Sequence, residues 1–119
     1  MGVTLDLFRN ETEGLEFPAG QTIFTAGAAG SEMFVILKGE VELFIGDEIV
    51  EVLGPGEPFG EMALIDRAPR VATARARTSC TLTAIPEKRF LFMVQQTPHF
   101  ALQIMRVIVV RLRKMDTRR

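Results

Sequence analysis

Between residues 15 and 53 the apolar residues come in short runs, and each run is cut off by glycine or proline. Leu15-Glu16-Phe17 leads into Pro18-Ala19-Gly20, and Thr22-Ile23-Phe24 leads into the small-residue stretch Ala26-Gly27-Ala28-Ala29-Gly30. Residues 33–37 are apolar throughout and are followed by Lys38-Gly39-Glu40. Residues 41–45 alternate, Gly46-Asp47 signals a hairpin, residues 49–53 alternate again, and Gly54-Pro55-Gly56 ends the series. Short strands at this spacing, with turn residues between them, predict a β sandwich or roll. Residues 71–77 and 80–85 read as two further strands.

The period then changes. Pro86-Glu87-Lys88 opens a helix, because proline suits the first turn, and Phe90, Leu91 and Val94 share one of its faces. Pro98 ends that unit and begins a longer helix over about 99–115. Its apolar residues form more than one stripe: Leu102, Met105, Val109 and Leu112, together with Ile104, Ile108 and Met115. Either one face lies on the β unit and the other on a partner, or the helix is sunk in the core of a monomer. Residues 1–10 read as a short helix or tail, with Leu5, Leu7 and Phe8 able to dock.

At 119 residues the chain is one domain, 1–119, large enough to bury a core without disulfides or metal. Hydrophobic residues make up 47%, which excludes disorder. The single Cys80 sits in an alternating apolar run and reads as a small core residue. One cysteine and no signal-like start predict a cytoplasmic setting, and the longest apolar run, 107–110, is too short to span a bilayer. The net charge of −1 hides an asymmetry. Residues 1–66 carry thirteen acids against Arg9 and Lys38, a net of −11, and residues 67–119 carry twelve bases against Glu87 and Asp116, a net of +10. Such halves attract each other within one fold, attract another copy, leave a basic face for an acidic partner, or are simply solvated.

The run Phe59-Gly60-Glu61-Met62-Ala63-Leu64, with Pro69-Arg70-Val71-Ala72-Thr73 after it, carries the candidate chemistry. Glycine, a carboxylate and small residues open a short helix, proline stops it, and an arginine follows at once. Backbone N–H groups at a helix start attract an anion, and an arginine fork holds two oxygens of a phosphate. Glu61 would repel phosphate unless the ligand also carries a hydroxyl donor, as a ribose phosphate does. A ligand-free alternative makes Glu61 a helix-dipole carboxylate and Arg70 its salt-bridge partner.

The order of elements and these residues resemble the cyclic nucleotide-binding domain family. Phe17-Pro18-Ala19-Gly20, Ile23-Phe24, Gly27, Gly30, the run 33–37 and Gly39-Glu40-Val41 resemble the first strands of its β-roll. The segment from Phe59 to Thr73 resembles its phosphate-binding cassette. The resemblance implies a mainly β chain: an antiparallel β-roll (a double-stranded β-helix or jelly roll) over about 15–85, a short cassette helix, and two C-terminal helices over about 86–115. It implies a cAMP or cGMP ligand and no cofactor or metal. Gly60 would admit the sugar, Glu61 would accept from the ribose 2′-hydroxyl, and the N–H groups of Met62 and Ala63 would face the cyclic phosphate. Arg70 would hold the exocyclic phosphate oxygens, and the Val71 N–H would add a bond. Valine at 71 offers the base no hydroxyl, which tilts the choice toward cAMP. Leu43 and Val50 align with positions that line the nucleotide pocket. Arg111 falls where relatives place an arginine near the purine, with a solvated helix arginine as the alternative.

In such relatives the last helix moves onto the bound nucleotide and transmits the signal. The resemblance therefore implies a receptor that acts through an effector protein, or as a homodimer through the C-terminal helix, with no membrane insertion. The chain ends at Arg119, which leaves no room for a helix-turn-helix; a free-standing sensor and a domain of a larger regulator or channel both fit. A β-roll that binds no nucleotide is the competing reading. A nucleic-acid role through Arg106, Arg111, Arg113, Lys114, Arg118 and Arg119 is disfavoured, because no reading element accompanies them. Catalysis is not expected: the one histidine, His99, stands at a helix start without a nucleophile or metal cluster beside it.

Overall fold

A computed structural model describes residues 4, 5, 8 and 13–116. Leu7, Arg118 and Arg119, and the side chain of Met115, lie outside the described residues. The elements run β1 (Leu15–Phe17), β2 (Thr22–Phe24), β3 (Glu32–Lys38), β4 (Val41–Ile45), β5 (Glu48–Leu53), β6 (Pro58–Phe59), α1 (Met62–Asp66), β7 (Thr73–Ala76), β8 (Cys80–Pro86), α2 (Glu87–Gln96) and α3 (Pro98–Asp116). Two antiparallel four-stranded sheets result, in the orders β1-β8-β3-β6 and β2-β7-β4-β5. This is the β-roll with flanking helices that the turn spacing and the resemblance predicted.

The two strands read after the cassette differ at their ends. Residues 71, 72 and 77 stay outside β7, β8 runs on to Pro86, and β6 is a two-residue strand that no periodicity could announce. Pairing rather than pattern makes β6: Phe59 lies opposite Phe34, and Pro58 lies opposite Val35. Proline donates no ladder bond, which suits an edge strand.

The uninterrupted apolar run of β3 is explained by burial on both faces. Phe34 and Ile36 point between the sheets, where they join Val41, Leu43, Leu53, Phe59, Ala74, Ala76, Cys80 and Leu82. Met33 and Val35 point the other way, into a second core made with Leu64, Ile85, Phe90, Phe100 and Ile104, closed by Leu5 and Phe8. Cys80 is thus a core residue; burial pushes its thiol up, while hydrogen bonds with Thr78 and Glu40 partly oppose that.

On α2 the expected apolar face is only partly buried. Phe90 packs inward and Val94 is half-buried, but Leu91 is exposed. On α3 the two stripes separate cleanly. Phe100, Ile104 and Val107 are buried, whereas Leu102, Met105, Val109 and Leu112 face outward. The opposed charges meet within the fold: Glu42 pairs with Arg75 and Arg77, Glu40 with Arg77, Glu51 with Arg111 and Lys114, and Glu61 with Arg111.

Phe59 is fully buried; it stacks on Phe34 at a centroid separation of 5.4 Å and lies tilted 5.8 Å from Phe24. Phe59→Ala is expected to lower unfolding stability by about 3–5 kcal/mol, read as a lower urea midpoint with an unchanged slope.

Candidate functional site

The cassette is shaped first by its own backbone. Gly60 has φ of +83°, a conformation glycine adopts without cost. Glu61 occupies the helix-start position of α1 with no side-chain capping bond, and its carbonyl accepts from the N–H groups of Leu64 and Ile65. The amides of Met62 and Ala63 precede those acceptor-paired groups. The helix ends on Arg67 in a left-handed conformation, φ of +56°, and Asp66 accepts from the Ala68 N–H at 3.1 Å. The chain then returns to the β2–β3 loop. Arg70 donates its N–H to the Ala28 carbonyl (2.9 Å) and accepts from the Gly27 N–H (2.8 Å). The Thr73 hydroxyl accepts from the Ala26 N–H at 3.0 Å.

This anchoring aims the Arg70 side chain inward. It is 6% exposed and donates to the carbonyls of Gly60 (2.8 Å) and Glu32 (2.7 Å), while its guanidinium lies 4.0 Å from the centroid of the Phe24 ring. Its Nε is buried and has no hydrogen-bond partner. Among the described residues no carboxylate is in ion-pair contact with it. Burial pulls the guanidinium below its ordinary range, and the charges of Glu32 and Glu61 pull it part of the way back. Two glycines make this placement possible. A Cβ on Gly30 would stand 2.4 Å from Arg70 Nε, and one on Gly60 would stand 2.7 Å from Nη1.

Glu61 does not pair with Arg70, so the ligand-free salt bridge considered from sequence is overturned; its partner is Arg111 on α3. Arg111 is buried, which also overturns the solvated-arginine alternative. It donates from Nη1 to Glu61 (2.5 Å), from Nε to Glu51 (3.1 Å) and from Nη2 to the Pro58 carbonyl. Lys114 Nζ lies 3.1 Å from the other oxygen of Glu51. Burial pulls the Arg111 guanidinium down, but Glu61 and Glu51 outweigh it and hold it above its ordinary range. The group of Arg70, Arg111, Lys114, Glu51 and Glu61 carries one net positive charge.

A hollow opens here, lined by Gly60, Glu61, Met62, Ala63, Arg70, Val71, Leu43 and Arg111. Its volume is about 50 Å³. Eight of the nine candidate residues therefore share one wall. Val50 is the exception: it packs against the intersheet core. Four contributors escaped the sequence reading. Phe24 and Ala72 also line the hollow, Glu51 holds Arg111, and Gly30 clears space for Arg70. Their signals, a strand aromatic, an alanine, a strand glutamate and a loop glycine, are common and unspecific. Among the described residues no group of three or more His, Cys, Asp or Glu could hold a metal ion, and no helix is long and apolar enough to cross a membrane.

The hollow of this antiparallel roll combines a helix start, a buried arginine with no ion-pair partner among the described residues, and a buried carboxylate. Residues 15–97 match the family model of the cyclic nucleotide-binding domain, and the chain belongs to that family. It is 33% identical over 105 residues to the cyclic AMP receptor protein of Thermus thermophilus, covering 84% of this chain and 49% of that protein. The chain thus spans about half the length of the curated relatives it matches. The crystal structure of the Thermus thermophilus catabolite activator protein superposes with a TM-score of 0.77 at 31% identity, covering 87% of this chain and 51% of the other. A structure from work on a cyclic-GMP-dependent signalling pathway in bacterial phytopathogenesis gives 0.72 at 33% identity, covering 82% and 81%.

Arg111→Met leaves buried Glu61 without its counterion and Glu51 with Lys114 alone, and a loss of about 3–5 kcal/mol of stability is expected. Adding Glu61→Gln to that variant should recover part of the loss. Chemical denaturation of the two single variants and the double variant measures the coupling.

Proposed function

We propose that this domain is a receptor for a cyclic nucleotide, cAMP in preference to cGMP, and that it signals to a partner protein through α3. The observation that carries the reading is Arg70: a buried guanidinium with no acidic partner among the described residues, lining the same hollow as Glu61, Met62 and Ala63. The group's single net positive charge complements the single negative charge of a cyclic phosphate. Arg70 and the amides of Met62, Ala63 and Val71 hold that phosphate. Glu61 accepts from the ribose 2′-hydroxyl at Gly60. Leu43 and Phe24 supply apolar wall, and Val71, half exposed at the rim and without a side-chain donor, favours adenine over guanine. A charge-assisted bond contributes about 1.5–3 kcal/mol, and micromolar affinity needs about 8 kcal/mol in all. Arg70 and three amides supply much of it.

At about 50 Å³ the hollow is narrow for a nucleotide, since ligand sites commonly measure about 300–1,000 Å³. Binding therefore widens it, and Arg111 on its wall belongs to α3. A ligand shifts a conformational equilibrium only through unequal affinity for the two arrangements, and Arg111 is where that inequality arises. The outward stripe of α3 repeats at Leu102, Met105, Val109 and Leu112, the three-four spacing of a coiled-coil seam. A second copy of this chain fits that seam, and the signal then passes along it. The reading is of a sensor working without catalysis in the cytoplasm.

Isothermal titration tests the ligand. Binding of cAMP no weaker than cGMP is expected, and Arg70→Ala should cost at least about tenfold in affinity, about 1.4 kcal/mol. Equal affinity of variant and wild type, or no heat with either nucleotide, rejects the assignment. Sedimentation tests the seam: Met105→Asp with Leu112→Asp should leave a monomer where the parent chain dimerises.

A further inference from the structure

Glu51 is set back from the hollow, yet it controls the residue that holds Glu61. Its side chain is 7% exposed on β5, with Oε1 on Arg111 Nε and Oε2 on Lys114. Arg111 is thereby fixed at all three nitrogens: Nε by Glu51, Nη1 by Glu61 Oε1 and Nη2 by the Pro58 carbonyl. Only one oxygen of Glu61 is engaged in these contacts, which leaves Oε2 for another donor.

An unconstrained guanidinium prefers to grip a carboxylate with two parallel bonds. That grip would occupy both oxygens of Glu61 and leave a ligand hydroxyl without an acceptor. Glu51 prevents it by claiming Nε and holding the plane of the guanidinium. Lys114 pairs with Glu51 from the far side at 3.1 Å, which offsets part of the cost of burying that carboxylate. We propose that Glu51 is a positioning residue for sugar recognition: it keeps Arg111 on one oxygen of Glu61, so that the other is available to the ribose 2′-hydroxyl. The proposal rests on the reading of Glu61 as the ribose acceptor.

The test is the ratio of affinities for cAMP and 2′-deoxy-cAMP, measured by titration on the whole chain. Two variants are compared with the parent: Glu51→Gln, which removes the charge, and Glu51→Asp, which keeps it but draws the oxygens back by one methylene. A merely structural loss, or a change of net charge, acts on both ligands alike and leaves the ratio unmoved. The parent is expected to favour cAMP by about tenfold, one decade or about 1.4 kcal/mol. Both variants are expected to lower that ratio toward one, mainly by weakening cAMP. A parent that discriminates, with either folded variant discriminating equally well, overturns the role of Glu51 and leaves Glu61 in place. A parent that binds both ligands equally overturns the ribose role of Glu61, and this proposal with it.

Discussion

The guanidinium of Arg111, buried against two carboxylates and a carbonyl, joins four parts of the molecule at one point. Glu51 belongs to β5, Pro58 to β6, Glu61 to the start of α1, and Arg111 itself to α3. Taking ions out of water is costly, and the mutual attraction repays it only when geometry is good and remaining donors are satisfied. The cluster therefore does little for net stability compared with a well-packed apolar equivalent. What it does is tie α3 directly to Glu61 at the start of α1.

The two site arginines are held in opposite ways. Arg111 is in contact with two carboxylates, whereas among the described residues Arg70 makes its contacts with neutral groups, two carbonyl oxygens and the face of Phe24, and feels Glu32 and Glu61 without an ion pair. Carbonyls orient a cation without cancelling its charge. Arg70 is thus kept in place and left electrostatically unspent, which is the condition for attracting an anion. Gly30 and Gly60 flank it for a steric reason, since a side chain on either would occupy the guanidinium's space.

The segregation of charge along the chain has a similar logic. Acids of β4, β5 and the cassette meet bases of β7 and α3, so the acidic and basic halves stitch the second sheet and the last helix together. Several of these pairs are partly exposed and contribute little each. The pairs at Arg111 are buried and carry the coupling. On its other side α3 keeps Leu102, Met105, Val109 and Leu112 outward, so one helix lines the hollow with Arg111 and exposes an apolar stripe.

The sequence by itself determined the strands, the two C-terminal helices and the cassette. Turn residues punctuate the first, periodicity marks the second, and the glycine–glutamate–proline–arginine order marks the third; these are local patterns that survive without tertiary information. The six cassette candidates, Gly60, Glu61, Met62, Ala63, Arg70 and Val71, belong to one short segment, whereas Leu43 and Arg111 reach the same hollow from β4 and α3 only through the fold. Tertiary structure alone decided which charges pair. Glu61 and Arg111 lie fifty residues apart, and Arg111 and Glu51 sixty. No spacing rule connects a strand glutamate with a helix arginine at such distances, so the partner of Glu61 was open to misassignment as Arg70. The same holds for β6, for the exposure of Leu91, and for the place of Val50. Each depends on what the rest of the chain lays against it, and that is set by packing rather than by its neighbours in sequence.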